Sequence, residues 1–109
     1  MAYDEGLAQL LRDELAEVPG VSERKMFGGL CFQVNGHMVC GVHQGGGMAR
    51  VGKVAEPEAL TIPGVAPMSF TGRKMGGMVD VTEATLVDDA LRARIVSMAL
   101  SYARSLPAK

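Results

Sequence analysis

Asn35-Gly36 sits between two apolar, β-like runs at residues 30–34 and 37–42. A type I′ turn needs φ > 0 at both central residues, and Asn-Gly meets that need most readily. The pair therefore predicts a β-hairpin and fixes its register. With Val34 opposite His37, Phe32 falls opposite Val39 and Cys31 opposite Cys40. Alternation then places Leu30, Phe32, Val34, His37 and Val39 on one face. Cys31, Gln33, Met38, Cys40 and Val42 take the other.

The remaining elements are read around this hairpin. Residues 4–17 predict an amphipathic helix, with Leu7, Leu10, Leu11, Leu15 and Val18 at helical spacing. Asp4 is the expected N-cap and Pro19-Gly20 the stop. Gln44-Gly45-Gly46-Gly47 reads as a flexible turn, after which a strand resumes at Met48. A short helix is expected at 56–60, with Pro57 in its first turn. Two more strands are expected at 67–71 and 77–81. Residues 88–106 predict a long helix. Its apolar stripe is Leu91, Ile95, Met98, Ala99, Tyr102 and Leu106, while Arg92, Arg94, Ser97, Ser101 and Arg104 face away. The order α-β-β-β-α-β-β-α suggests a two-layer α+β domain, with helices over an antiparallel sheet.

Length and composition fit one globular domain, 1–109. Of its 109 residues 48% are hydrophobic and 21% charged, which disfavours disorder. A net charge of −1 disfavours nucleic acid and membrane surfaces as partners through bulk electrostatics. No run is long enough for a transmembrane helix, and the acidic start does not read as a signal peptide. The expected setting is cytoplasmic, with reduced thiols.

The chain has two cysteines and two histidines, but no pattern that makes them reactive. Cys31 and Cys40, paired across the hairpin, are expected as small buried hydrophobes. Cys40 and His43 with Cys31 do not make a zinc pattern, so no metal and no cofactor is expected. No nucleophile elbow or triad context is present, so no catalytic residue is assigned. His37, just after the turn, is expected to be solvated. The eight methionines are expected to fill a core poor in aromatic residues.

One internal echo remains. RKMFGG (24–29) and RKMGG (73–77) each precede an expected strand. Glycines expose backbone N–H groups that can form an anion-binding concavity, and the basic residues add charge. Neither segment is a P-loop, because no Gly-Lys-Ser/Thr follows.

Several separate pieces, MFGGLCFQVNGHMVCGV (26–42), MARVG (48–52), PMSFTGRKMGGMV (67–79) and ALSYARSLPAK (99–109), together resemble the TfoX/Sxy N-terminal domain family. Ser69 stands where family members often carry an acid, and 44–47 is richer in glycine. The resemblance implies an α-β(3)-α-β(2)-α fold of secretion-chaperone-like type, and it transfers no catalytic residues. It also implies a sheet order of 1-2-5-4-3. Strands 1 and 5 would then flank strand 2 in parallel, and their starts would lie roughly 10 Å apart. Lys25, Gly28, Gly29, His43, Arg73, Lys74, Gly76 and Gly77 would converge into one candidate anion site.

The family takes its name from regulators of natural competence. The expected function is therefore a non-enzymatic regulatory or interaction module acting through a homodimer or a protein partner. The alternatives are a domain that binds a phosphate, a nucleotide or another small anion through the two RKM/GG loops, and an enzyme of unknown reaction.

Overall fold

A computed structural model describes residues 3–26, 28–70 and 73–107, without the side chains of Met26, Ser69, Phe70 and 73–75. The elements are α1 (Glu5–Glu14), β1 (Val21–Met26), β2 (Gly29–Val34), β3 (His37–His43), β4 (Gly46–Arg50), α2 (Glu56–Ala59), β5 (Val65–Phe70), β6 (Arg73–Val81), α3 (Glu83–Val87) and α4 (Asp89–Arg104). The strands form one antiparallel sheet in the order β1-β2-β3-β4-β6-β5. Helices α1, α3 and α4 pack on β2, β3 and β4. Between these layers lies a core that includes Leu7, Leu11, Leu15, Phe32, Val42, Val79, Val81, Leu86, Ile95 and Ala99. The two-layer α+β architecture is as expected.

The hairpin turn is also as expected. Asn35 has φ +52° and Gly36 φ +86°, and Val34 pairs with His37. The register beyond it is not. A bulge shifts the pairing so that Phe32 lies opposite Cys40 and Cys31 opposite Gly41. The extra residue, Val39, is wholly buried, and from there on the strand presents the opposite set of side chains. Cys40 and Val42 therefore join Leu30 and Phe32 in the core, while Cys31 lies outside that cluster. The two cysteines do not face each other.

The sheet differs from expectation in three further ways. Residues 21–26 form an additional edge strand, so the chain reads α-β(4)-α-β(2)-α-α. Gln44-Gly45 alone make the next turn, and Gly46 and Gly47 belong to β4. They are tightly packed rather than flexible: a β-carbon on Gly47 would lie 2.5 Å from Leu86 Cδ1 and 2.9 Å from Gly41 O. The order is also not 1-2-5-4-3 in the hairpin-based numbering, because β4 stands between β3 and β6.

Caps define the helices. Asp4 Oδ1 accepts from the N–H groups of Gly6 and Leu7 at 2.7 and 3.2 Å. The expected 88–106 helix begins at Asp89, where Asp88 caps it through Leu91 N–H at 3.0 Å. A separate short helix, α3, precedes it. Arg92 does not face solvent. It is buried, and its guanidinium donates to Leu86 O at 2.9 Å, Glu14 Oε1 at 3.0 Å and Asp89 Oδ1 at 2.8 Å. One side chain thus ties α1, α3 and α4 together.

Candidate functional site

The residues singled out in the sequence separate into two groups. β2 and β6 run antiparallel with β3 and β4 between them. Their starts lie at opposite ends of the sheet, about 14 Å apart across three strand spacings alone. Lys25, Gly28, Gly29 and His43 lie at one end. Arg73, Lys74, Gly76 and Gly77 lie toward the other. The expected convergence does not occur.

Each group has its own structural account. Arg24 and Lys25 are exposed residues of edge strand β1, and Gly28 takes φ +77° in the tight turn to β2. Gly29 is packed so closely that a β-carbon would clash with Val42 O. His43 has both ring nitrogens engaged. Nδ1 accepts from Gly45 N–H at 3.0 Å, so Nε2 carries the proton. Nε2–H faces Asp80 Oδ1 at 2.7 Å and Gly47 O at 3.0 Å. Neither nitrogen is left to take a substrate proton. His37 is buried rather than solvated, and its Nε2 bonds Pro107 O, pinning the chain after α4 to the start of β3.

The cysteines are equally structural. Burial pushes the Cys40 thiol up to about 12 and also raises that of Cys31. A thiol so shifted holds almost no thiolate near neutrality. Among the described residues, no three His, Cys, Asp or Glu side chains gather as metal ligands.

Gly76 and Gly77 of the second group line a cleft. Its volume is about 790 Å³, between α4 and the β4–α2 connection. Ser97, Met98, Ser101 and Tyr102 of α4, with its C-cap Ser105, form one wall. Residues 50–55 form the other, Gly76 and Gly77 complete the lining, and Glu58 joins it. The side chains of Arg73 and Lys74, the basic half of the echo, lie outside the described residues.

Glycines make this cleft possible. Gly52 has φ +85°, and a β-carbon there would stand 2.5 Å from Tyr102 Cδ1, so the ring packs directly on the backbone. At Gly76 a β-carbon would meet Lys53 Cε at 3.0 Å, and the bare backbone leaves room for the lysine stem. Gly77, at φ +82°, interrupts the β5–β6 pairing beside an irregularity in register. Its carbonyl accepts from Val51 N–H at 2.9 Å and Gly52 N–H at 3.1 Å, and its N–H donates to Glu56 Oε1 at 3.1 Å. The second RKM/GG segment is thus a bulge that docks the β4–α2 connection.

Charge enters from residues that carried no sequence motif. The Arg50 guanidinium carbon lies 5.2 Å from the centroid of the Tyr102 ring, within cation–π reach. Lys53, whose stem runs beside Gly76, lines the same cleft. Among the described residues neither cation pairs with a carboxylate, whereas Glu58 is drawn to Arg94 at 3.8 Å. Sequence reasoning missed Arg50, Lys53 and Tyr102, and took Ser97 and Ser101 only as outward-facing. Two signals were available: Arg50-Val51-Gly52-Lys53 places two cations around a glycine, and serines recur at 97, 101 and 105.

No curated protein and no solved structure matches the chain. The family model described as the TfoX N-terminal domain matches residues 13–103. It takes in every strand, α2, α3 and nearly all of α4, and on that match the chain belongs to the TfoX N-terminal domain family.

Proposed function

We propose that this protein is a non-catalytic regulatory binding module whose working surface is the cleft between α4 and the β4–α2 connection. The observation that carries the reading is a contrast in how polar side chains are used. His43, His37 and both cysteines are bound or buried in structural roles. Arg50 and Lys53 instead line a cleft with serine hydroxyls opposite and, among the described residues, no nucleophile–base pair beside them. Such a site is built to hold a group rather than to transform it. Membership of the TfoX N-terminal domain family supports a regulatory role.

The output of such a module is a protein contact, with a second copy of the chain as the first partner to test. Edge strand β1 carries Glu23, Arg24 and Lys25, and edge strand β5 carries Pro67, both of which oppose sheet-to-sheet extension. The contact is therefore expected to use a face rather than a sheet edge.

The test is a thermal-shift screen of metabolites on the full chain, repeated on Ser101→Trp. Ser101 is exposed on α4, so the indole fills the cleft without disturbing the core. Stabilising compounds should lose their effect on the variant and be recovered unchanged by mass spectrometry. Chemical conversion of a bound compound, or equal shifts in both proteins, would sink the proposal.

A further inference from the structure

We infer that the cleft takes a small organic anion: an apolar, flat body carrying one carboxylate or phosphate group, with the anionic end on Arg50 and Lys53. This rests on the reading of the cleft as a binding surface and adds the chemistry of its ligand.

Three observations converge. The first is charge. The chain as a whole is nearly neutral, at −1, yet the cleft lining holds two cations, half-buried Arg50 and exposed Lys53, with no carboxylate partner among the described residues. Glu58, the acidic residue of the lining, is turned toward Arg94. An incoming anion is therefore drawn to the Arg50–Lys53 end and repelled from the Glu58 end, which sets its direction.

The second is preorganisation. The cation–π contact with Tyr102 restrains the Arg50 guanidinium before any ligand arrives. A guanidinium restrained by a cation–π contact makes no hydrogen bond to the ring, and its N–H edges match two oxygens of a carboxylate or phosphate. The Tyr102 ring itself packs on Gly52, where no side chain intervenes, so the backbone helps to fix this contact.

The third is the apolar remainder. Val54, at the lip, is 97% exposed, the most exposed large hydrophobic residue among those described. With Met98 and the Tyr102 ring it offers an apolar surface next to the cations. A volume of about 790 Å³ exceeds what an inorganic anion needs and suits a ligand of metabolite size. Ser97 and Ser101 add hydroxyls on the facing wall for polar substituents.

The experiment is an amide ¹⁵N–¹H titration of the full chain with four probes of one shape: benzoate, phenyl phosphate, benzyl alcohol and benzylamine. Benzoate or phenyl phosphate should produce saturable shifts at Gly52, Lys53, Gly76 and Gly77, while the alcohol and the amine leave those signals in place. The stronger of the two anions identifies the carboxylate or phosphate source. Arg50→Gln and Lys53→Gln, each checked for an otherwise unchanged spectrum, should weaken that anion about tenfold or more. Equal binding of all four probes at the cleft would overturn the anion assignment and leave the binding surface standing. No saturable shift there with any probe would overturn both.

Discussion

Replacing Gly52 by alanine perturbs the floor of the cleft in two ways, and they can be separated. A non-glycine residue at φ +85° costs about 1–2 kcal/mol through its backbone alone. The new β-carbon also lands 2.5 Å from Tyr102 Cδ1 and 2.7 Å from Cε1. The half-buried ring must swing away, losing its packing and its contact with Arg50. That adds roughly 1–2 kcal/mol. The whole effect should be about 2–4 kcal/mol, or a fall in Tm of roughly 8–16 °C at about 4 °C per kcal/mol. Urea unfolding followed by circular dichroism on a double-mutant cycle isolates the second part. In a Tyr102→Ala background only the backbone cost remains, so the coupling between the two sites should be about 1–2 kcal/mol. If Gly52→Ala costs the same in both backgrounds, the ring does not rest on Gly52 and the account of the cleft floor is wrong.

The other consequences are simpler. Arg92→Ala leaves Leu86 O without its donor in a buried setting and half-buried Glu14 without its partner, and should cost about 2–3 kcal/mol, read as a shift in urea midpoint. Gly47→Ala drives a β-carbon into Leu86 and should cost about 1–3 kcal/mol; Gly45→Ala, whose nearest contact would be 3.5 Å, should be close to neutral. Equal melting temperatures for those two variants would restore the flexible-turn reading. Burial raises the folded-state Cys40 thiol to about 12, above its value in the unfolded chain. The stability this provides is complete below the unfolded value, near pH 8.5, and is lost as pH rises from there toward 12. Urea midpoints should therefore fall between pH 8 and pH 11 and fall less in Cys40→Ala. Iodoacetamide at pH 8 should leave both thiols unmodified until urea is added.

Much of this fold is written locally. The Asn35-Gly36 turn, the Asp4 cap and the helical stripe of α1 are short-range signals, and each forms where expected; in α4 the buried face is turned toward Arg92, Val96 and Ala103, and of the expected stripe only Ile95 and Ala99 are fully buried. Three features depend on tertiary context. The bulge at Val39 has no mark of its own, because apolar residues follow one another through 39–42 and either register buries valines. The edge strand at 21–26 lacks an apolar alternation, since it is solvated along its outer side and carries charge there. Arg92 looks like a surface residue until α1 brings Glu14 to it. The site was half legible for the same reason. Gly76 and Gly77 stood out as glycines with a purpose. Their partners come from the β4–α2 connection and from α2, brought in by the sheet order rather than by a shared motif.

The central claim is that the cleft beside α4 is where this protein binds. The most direct measurement is isothermal titration calorimetry of the stronger-binding of benzoate and phenyl phosphate into the full chain and into Ser101→Trp, with matched melting temperatures as the control. The account predicts saturable heat for the unmodified protein and none for the variant. Equal heats from the two proteins would place binding elsewhere and contradict it.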